Sequence, residues 1–367
     1  MKSLTHLVIL LAFCADVFGT ESIWTAFWDE GHDLKGFRDE QGVVQIKPKF
    51  MGFSTTTKFR HIMAVTENIN DAFVSYYLLK DGRRIGVGDS YVSDMTFDCE
   101  SEYKIRFREK ESGKVGYFDG AGNVVIPPEY DDGTAFKNGL ASVIKNARKA
   151  CPDGTELTAE NMCEHWYWKD GERFVIDQHN AIVLEGVNLS PELDLYSMRV
   201  SENESTSETT QSFKGSNGKF YIFTNFEKQF EHWFNAELLP GLDEEKLLIN
   251  SFDRIMLWDK SKGWYEQDKQ IYLNKSATLI VTLLKNTQRP ESQSFVVMDG
   301  LIRGIYDTER YDQYFDDCEN PLTGRYPVLQ LITEHRSDEN YLQNAYDFLK
   351  TEDGFKLISL AIRARPD

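Results

Sequence analysis

Apolar positions in the first half of the chain recur in short alternating runs, broken by polar turns that carry glycine. "GFRDEQGVVQIKPKF" spans Gly36 to Phe50, and "GYFDGAGNVVIPPEY" spans Gly116 to Tyr130. In each, an aromatic strand leads into a turn whose glycine supplies the positive φ of a tight hairpin. A β-branched strand follows. Proline then ends the ladder, because it has no amide to donate. An apolar strand closes the unit, "FRHIMAV" from Phe59 and "AFKNGLASVIK" from Ala135.

The turn glycines Gly42, Gly82 and Gly122 are evenly spaced, and self-similarity at such a period marks a repeat architecture. A fourth turn at Gly171, in "KDGERFVID", comes late, after an insertion holding Cys151 and Cys163. The units lie near 35–66, 76–107, 115–146 and 166–184, which predicts an all-β domain over 20–186. Residues 187–218 connect it to the second half and include a polar linker, "SENESTSETTQSFKGSNG". "LDLYSMRV" before that linker and "KFYIFT" after it suit pairing across it.

Helical spacing then takes over. Phe226, Phe230, Trp233 and Phe234 form one apolar face, and Pro240–Gly241 ends that helix. "LDEEKLLINSF" predicts a second helix with acids in its first turn, where they complement the dipole. "KQIYLNKSATLIVTLLKN" predicts a third. Strands follow over 294–306, 326–336 and 341–363, the last folding back at "TEDG". The expected class is α+β: an all-β array of hairpin units, then an α+β domain at 219–367 with helices packed on an antiparallel meander.

The aromatic strand, Asp-x-x-Gly turn, "VVIPPEYDD" and "F-x-x-G-L-A-x-V" resemble the WG-repeat proteins, also called KWG repeats. The likeness is close over Gly116–Val143, fair over Gly36–Val65, and weak over Tyr76–Phe107 and Trp166–Leu184. The naming Trp-Gly pair is absent, since Lys35 and Val115 precede Gly36 and Gly116. The resemblance implies a β-rich array with a binding or scaffolding role, and it carries no catalytic residues. The closing "YDFLKTEDGFKLISLAIR" resembles the last hairpin of the cone-shaped nuclear-transport-factor-two-like and SnoaL-like folds, where some members are enzymes and many only bind.

Charge narrows the partners. A formal net charge of -18 over 367 residues opposes nucleic acid, which demands clustered Lys and Arg. Lys2, the apolar run Leu7–Phe13 and the small residues before Thr20 form a leader pattern with cleavage between Gly19 and Thr20, so residues 1–19 read as a signal peptide. No other segment is long and apolar enough to span a bilayer. Export to the periplasm or medium is expected, with Cys14 as an alternative lipid-anchor site.

Four cysteines follow the leader. Cys151 and Cys163 suit a loop-closing disulfide, while Cys99 and Cys318 pair only if their two domains touch. The spacings do not suit zinc. The acids Asp307, Asp312, Asp316 and Asp317 lack the spacing of a calcium loop. No nucleotide, hydrolase or metalloprotease motif is present, and no cofactor, metal or catalytic residue is assigned.

Two clusters remain. His165, Trp166, Tyr167 and Trp168 form either an aromatic platform for a sugar ring or peptide, or rim aromatics of a worn repeat, with the two tryptophans on one side of the strand. Asp253, Asp259, Asp299, Glu334 and His335 either line a pocket of the second domain or lie dispersed on an acidic surface. The expected function is non-catalytic binding or scaffolding in a bacterial envelope, through repeat faces that recognise a protein or glycan. The alternatives are an enzyme or small-molecule binder using a C-terminal pocket, and a tethered spacer.

Overall fold

The computed structural model describes residues 22–93, 95–289, 293–336 and 341–364. The leader, its cleavage site and Cys14 lie outside the described residues. The chain is mostly β, with 49% of residues in strands and 13% in helices, arranged as several antiparallel sheets with few helices.

The repeated units share one local mechanism. Strand Leu34–Arg38 pairs with Val44–Met51, and Val115–Asp119 pairs with Val124–Tyr130. Both ladders skip at the same place. Lys35 faces Phe50 and Phe37 faces Ile46; Val115 faces Tyr130 and Tyr117 faces Ile126. The proline segment between these pairs therefore bulges rather than ending the strand, contrary to the expected break. Glycine makes room for it: a Cβ at Gly36 would sit 2.6 Å from the Ile46 carbonyl oxygen, and one at Gly116 would sit 2.7 Å from that of Ile126. Equivalent positions then fill equivalent cores, Phe37, Ile46 and Phe50 in one unit and Tyr117, Ile126 and Tyr130 in the other.

The turns also repeat. Asp119 Oδ1 accepts from the Ala121 and Asn123 amides, and Asp39 Oδ1 accepts from those of Gln41 and Val43. Gly42, Gly82 and Gly122 have φ of 80°, 88° and 84°. The fourth turn is not at Gly171. It is Asp177–Asn180, where Asp177 Oδ1 accepts from His179 and Ala181 and Asn180 takes the positive φ, 65°. Asparagine tolerates that conformation, so no glycine marks the turn. Gly171 instead lies inside strand Tyr167–Asp177, level with Asn146, whose φ is also positive, at 57°. The polar stretch expected as linker is partly a strand: Thr210–Lys214 and Leu193–Ser201 both pair with Phe220–Asn225. A further turn, Gly215–Gly218, closes that hairpin.

In the second half, helix Phe226–His232 continues into a π-helical turn, Trp233–Leu238. Helix Glu244–Ile249 stops short of the expected Phe252, because Ser251–Asp259 is a strand paired with Gly263–Asp268. Helix Lys269–Asn286 spans the expected residues. It carries the chain from one edge of a six-stranded sheet to the other. From that edge Gln293–Asp299, Val328–Arg336, Tyr341–Thr351 and Gly354–Ala361 meander back antiparallel. The last strand lands beside Ser251–Asp259 and runs parallel to it, so the sheet is not a pure antiparallel meander. The helical crossover between strands of like direction imposes this.

Phe230, Phe234, Leu247, Leu273, Ile280 and Leu284 cover one face of the sheet against Tyr346, Phe348 and Leu357. Each such buried side chain stabilises by roughly 1.5–3 kcal/mol. The expected strand 294–306 ends at Asp299; the chain then crosses the opposite face, where Leu301, Tyr306, Tyr311 and Tyr314 pack on Met256 and Ile358.

Candidate binding surfaces

The aromatic cluster follows from a long hairpin. Leu140–Ala150 pairs with Tyr167–Asp177, setting Lys149 opposite Trp168 and Ala150 opposite Tyr167. The Cys151–Cys163 disulfide closes the loop that joins these strands. Trp166 and Trp168 pack edge to face at 5.2 Å, and Lys149 Nζ lies 4.1 Å from the Trp166 ring centre. Trp168 Nε1 donates to Asp132 Oδ2 at 2.7 Å, which fixes that ring. Trp166 is 40% exposed and Tyr167 45% exposed, and His165 is exposed too. Burial pushes the Lys149 amine below its usual range; Arg108 adds to this and Asp132 opposes it. An open groove of about 240 Å³ runs beside Trp168, bounded by Asp132, Thr134, Arg173 and Asn188. The arrangement exposes an aromatic ring beside an amine, while both Asp132 oxygens are engaged, Oδ1 by Tyr91 and Arg108 and Oδ2 by Trp168.

The two halves meet at a second feature. Cys99 and Cys318 form a disulfide, so the halves do touch. The Thr57 and Lys58 amides both donate to the Asp317 carbonyl, at 2.8 and 3.0 Å, and the Arg60 guanidinium pairs with the Asp317 carboxylate. A cavity of about 250 Å³ lies at this junction. Arg106 lines it, bonded to Asp98 through Nε at 2.9 Å and to the Gly133 carbonyl through Nη1 at 2.7 Å. Among the described residues, Cys99, Asp316 and Cys318 have metal-like proximity, but the sulfurs are bonded to each other and offer no thiolate.

The second cluster is dispersed. Asp253 is exposed and pairs with Lys269 at 3.1 Å. Asp259 caps a hairpin turn, accepting from the Ser261 amide. Glu334 accepts from the Tyr341 hydroxyl at 2.6 Å, and His335 Nε2 lies 3.2 Å from Thr333 Oγ1 and from Asn344 Nδ2. Asp299 lines a cavity of about 310 Å³ on the sheet face away from the helices. Asp347, Gln330 and Ser359 line the same cavity. Of the other acids, Asp312 pairs with Arg303 at 2.7 Å, Asp317 with Arg60, Asp316 caps a turn and Asp307 is exposed.

Residues 116–148 match the family model of the WG containing repeat. The chain thus carries a WG repeat. No curated protein and no solved structure matches the chain, so nothing supports the likeness to cone-shaped folds. The match to the WG repeat ends one residue before Lys149; Trp168 stands on the strand that pairs with this segment, and Trp166 just precedes that strand.

Sequence reasoning missed Asp347. It sits in a regular strand without a motif, and only the pairing of Gln330 opposite it reveals the shared face. It also missed the hairpin Ser251–Asp268, although the short apolar run "IMLW" and the glycine at Gly263 were available as signals.

Proposed function

We propose that this is an exported, non-catalytic binding protein of a bacterial envelope, whose repeat half presents the recognition face for a protein or glycan partner. The Trp166–Trp168 pair carries this reading. Two tryptophans beside an amine, partly exposed on a disulfide-closed hairpin, are costly to leave in water unless something covers them. The leader pattern and the two disulfides support an oxidising compartment. Among the described residues no helix is long and apolar enough to cross a membrane.

The test uses the chain from Thr20, with Trp166→Ala and Trp168→Ala combined, in co-sedimentation with envelope glycan and in capture from envelope protein fractions. At least about a tenfold loss of one of these is expected, the scale of a buried aromatic anchor. Unchanged capture by the double variant would overturn the reading. Acyl labelling of the full chain against Cys14→Ser separates it from a lipid-tethered spacer. A second reading, small-molecule binding by the C-terminal half, has its own support in the cavity beside Asp347.

A further inference from the structure

The cavity on the open face of the six-stranded sheet is independent of the repeat-face reading. At about 310 Å³ it falls near the lower end of ligand pockets, roughly 300–1,000 Å³. Leu301, Ile302, Ile305 and Ile332 make its walls apolar. Two carboxyls enter it. Asp347 stands opposite Gln330 across a strand pair, and Asp299 ends the neighbouring edge strand.

Among the described residues, the partners of both carboxyls are uncharged. Asp347 accepts from Gln330 Nε2 at 2.7 Å and lies beside the Ser359 hydroxyl; Asp299 accepts from the Gly300 amide at 2.7 Å. Among the described residues, no Lys, Arg or His forms an ion pair with either. Arg363 also lines the cavity, but its guanidinium lies 4.7 Å from the Trp258 ring centre. Burial pushes the Asp347 carboxyl above the usual carboxylate range; Gln330 and Ser359 pull it back, and Asp299 raises it further.

A carboxylate among isoleucines is expensive without a counter-charge. The protein supplies hydrogen bonds and an apolar volume; among the described residues the one cation at the wall, Arg363, lies over Trp258 and forms no ion pair with either acid. An anion is excluded by two carboxyls. A hard metal ion is disfavoured, because calcium takes six to eight oxygen ligands and the walls are hydrocarbon. An organic cation satisfies both the charge and the walls. Trp264, 44% exposed, lines the same cavity and adds a ring that attracts cations.

We propose that this cavity binds a small organic ammonium ion with an apolar body, using Asp347 as counter-charge and Asp299 as the second acid. Calorimetry on the chain from Thr20 tests this with three probes of one shape: phenethylammonium, 2-phenylethanol and 3-phenylpropionate. The ammonium is expected to bind at least about tenfold more tightly than the alcohol, a difference of about 1.4 kcal/mol, and the carboxylate is expected not to bind. Asp347→Asn is expected to erase the preference for ammonium over alcohol. Should that variant not fold, Ile302→Trp serves instead: Ile302 is 59% exposed, so the larger ring is tolerated and narrows the cavity, and ammonium binding should fall at least about tenfold.

No ammonium binding by about 10 mM, weaker than any useful site, overturns the proposal. So does equal affinity for ammonium and alcohol, or unchanged ammonium binding in a folded Asp347→Asn or Ile302→Trp protein. The Trp166→Ala/Trp168→Ala protein should bind the ammonium normally, so failure here and failure of the repeat-face reading are told apart.

Discussion

Asp316 closes its turn with the same hydrogen bonds that Asp119 uses. Asp119 Oδ1 accepts from the Ala121 and Asn123 amides at 3.0 and 2.8 Å, and Asp316 Oδ1 accepts from the Cys318 and Asn320 amides at 2.8 and 2.9 Å. Asn123 Nδ2 and Asn320 Nδ2 each donate to their aspartate's Oδ2 at 3.0 Å. "YFDGAGN" and "YFDDCEN" therefore build one turn, once inside the WG repeat and once in the other half, with Glu319 at φ 64° where Gly122 has 84°.

The two aspartates should respond oppositely to pH. Burial raises the Asp119 carboxyl, but the bonds from Asn123, Ala121 and Gly122 outweigh it and leave it below the usual range. Its stabilisation is present above the unfolded pKa and is lost as pH falls through the folded one. Burial of Asp316 wins over its bonds from Asn320 and Cys318, with Asp317 adding to the rise. There the folded state holds its proton longer, and stability falls as pH rises from the ordinary carboxylate pKa to the folded one. Asp119→Asn should cost about 1 kcal/mol at neutral pH and nothing once the native carboxyl is protonated. Asp316→Asn should instead gain on the native protein across the weakly acidic window. Urea titrations between about pH 3 and 7 check this; parallel pH curves for the two variants would sink the idea.

The glycines opposite the proline bulges should resist substitution for a steric reason. Alanine at Gly116 meets the Ile126 carbonyl and the Phe107 ring, both at 2.7 Å, and should cost about 2–3 kcal/mol. Gly36→Ala meets backbone on the facing strand and should cost as much. At Gly42 the space is open and only the φ of 80° is strained, so alanine should cost about 1 kcal/mol. Equal losses at Gly42 and Gly116 in chemical denaturation would contradict this.

The disulfides should differ in reach. The Cys151–Cys163 bridge closes a separation of 12 residues, worth about 3 kcal/mol from chain entropy. The Cys99–Cys318 bridge closes 219 residues and is worth about 5 kcal/mol on the same model. Replacing both members of the long bridge with serine should lower the melting temperature more, and should separate one calorimetric transition into two. A single unsplit transition would mean that the noncovalent junction alone couples the halves.

The Asp98–Arg106 pair is enclosed, with side-chain exposures of 5% and 16%. Asp98 also accepts from the Arg106 amide at 2.9 Å. Asp98→Ala should cost about 3–5 kcal/mol, because it strands a buried guanidinium. Adding Arg106→Met should recover part of the loss. A double variant no more stable than Asp98→Ala would show that the pair carries more than charge balance.

What was legible depended on whether the cause was local. The hairpins around Gly42 and Gly122 could be read because strand, turn and glycine all act within one unit, whereas the bulge at the prolines was read as a strand end. The turn at Asn180 was not, since asparagine replaced the expected glycine and Gly171 imitated it nearby. Helix Lys269–Asn286 was visible from its periodicity, while the parallel contact of Ser251–Asp259 with the last strand depends on a crossover that no local pattern encodes. The acids Asp253, Asp259 and Glu334 share their chemistry with Asp299 but do not line its cavity, and neither does His335. Asp347 shares the face but has no motif. Trp166 and Trp168 do pack together, but Trp166 lies just before the strand that strand alternation assumed for it, and the bond from Trp168 to Asp132 joins residues of different strands.

The Cys99–Cys318 bridge also decides how this chain can carry load. Pulled from its two ends, it passes force through the sulfur–sulfur bond, and the 219-residue separation spanned by that bond stays slack. That hidden length is roughly 700 Å at full extension. An intact molecule would yield only the segments outside the bridge, whereas a reduced one would release the WG repeat, the tryptophan hairpin and most of the second half. Breaking that single bond would therefore free length that the intact molecule keeps folded away.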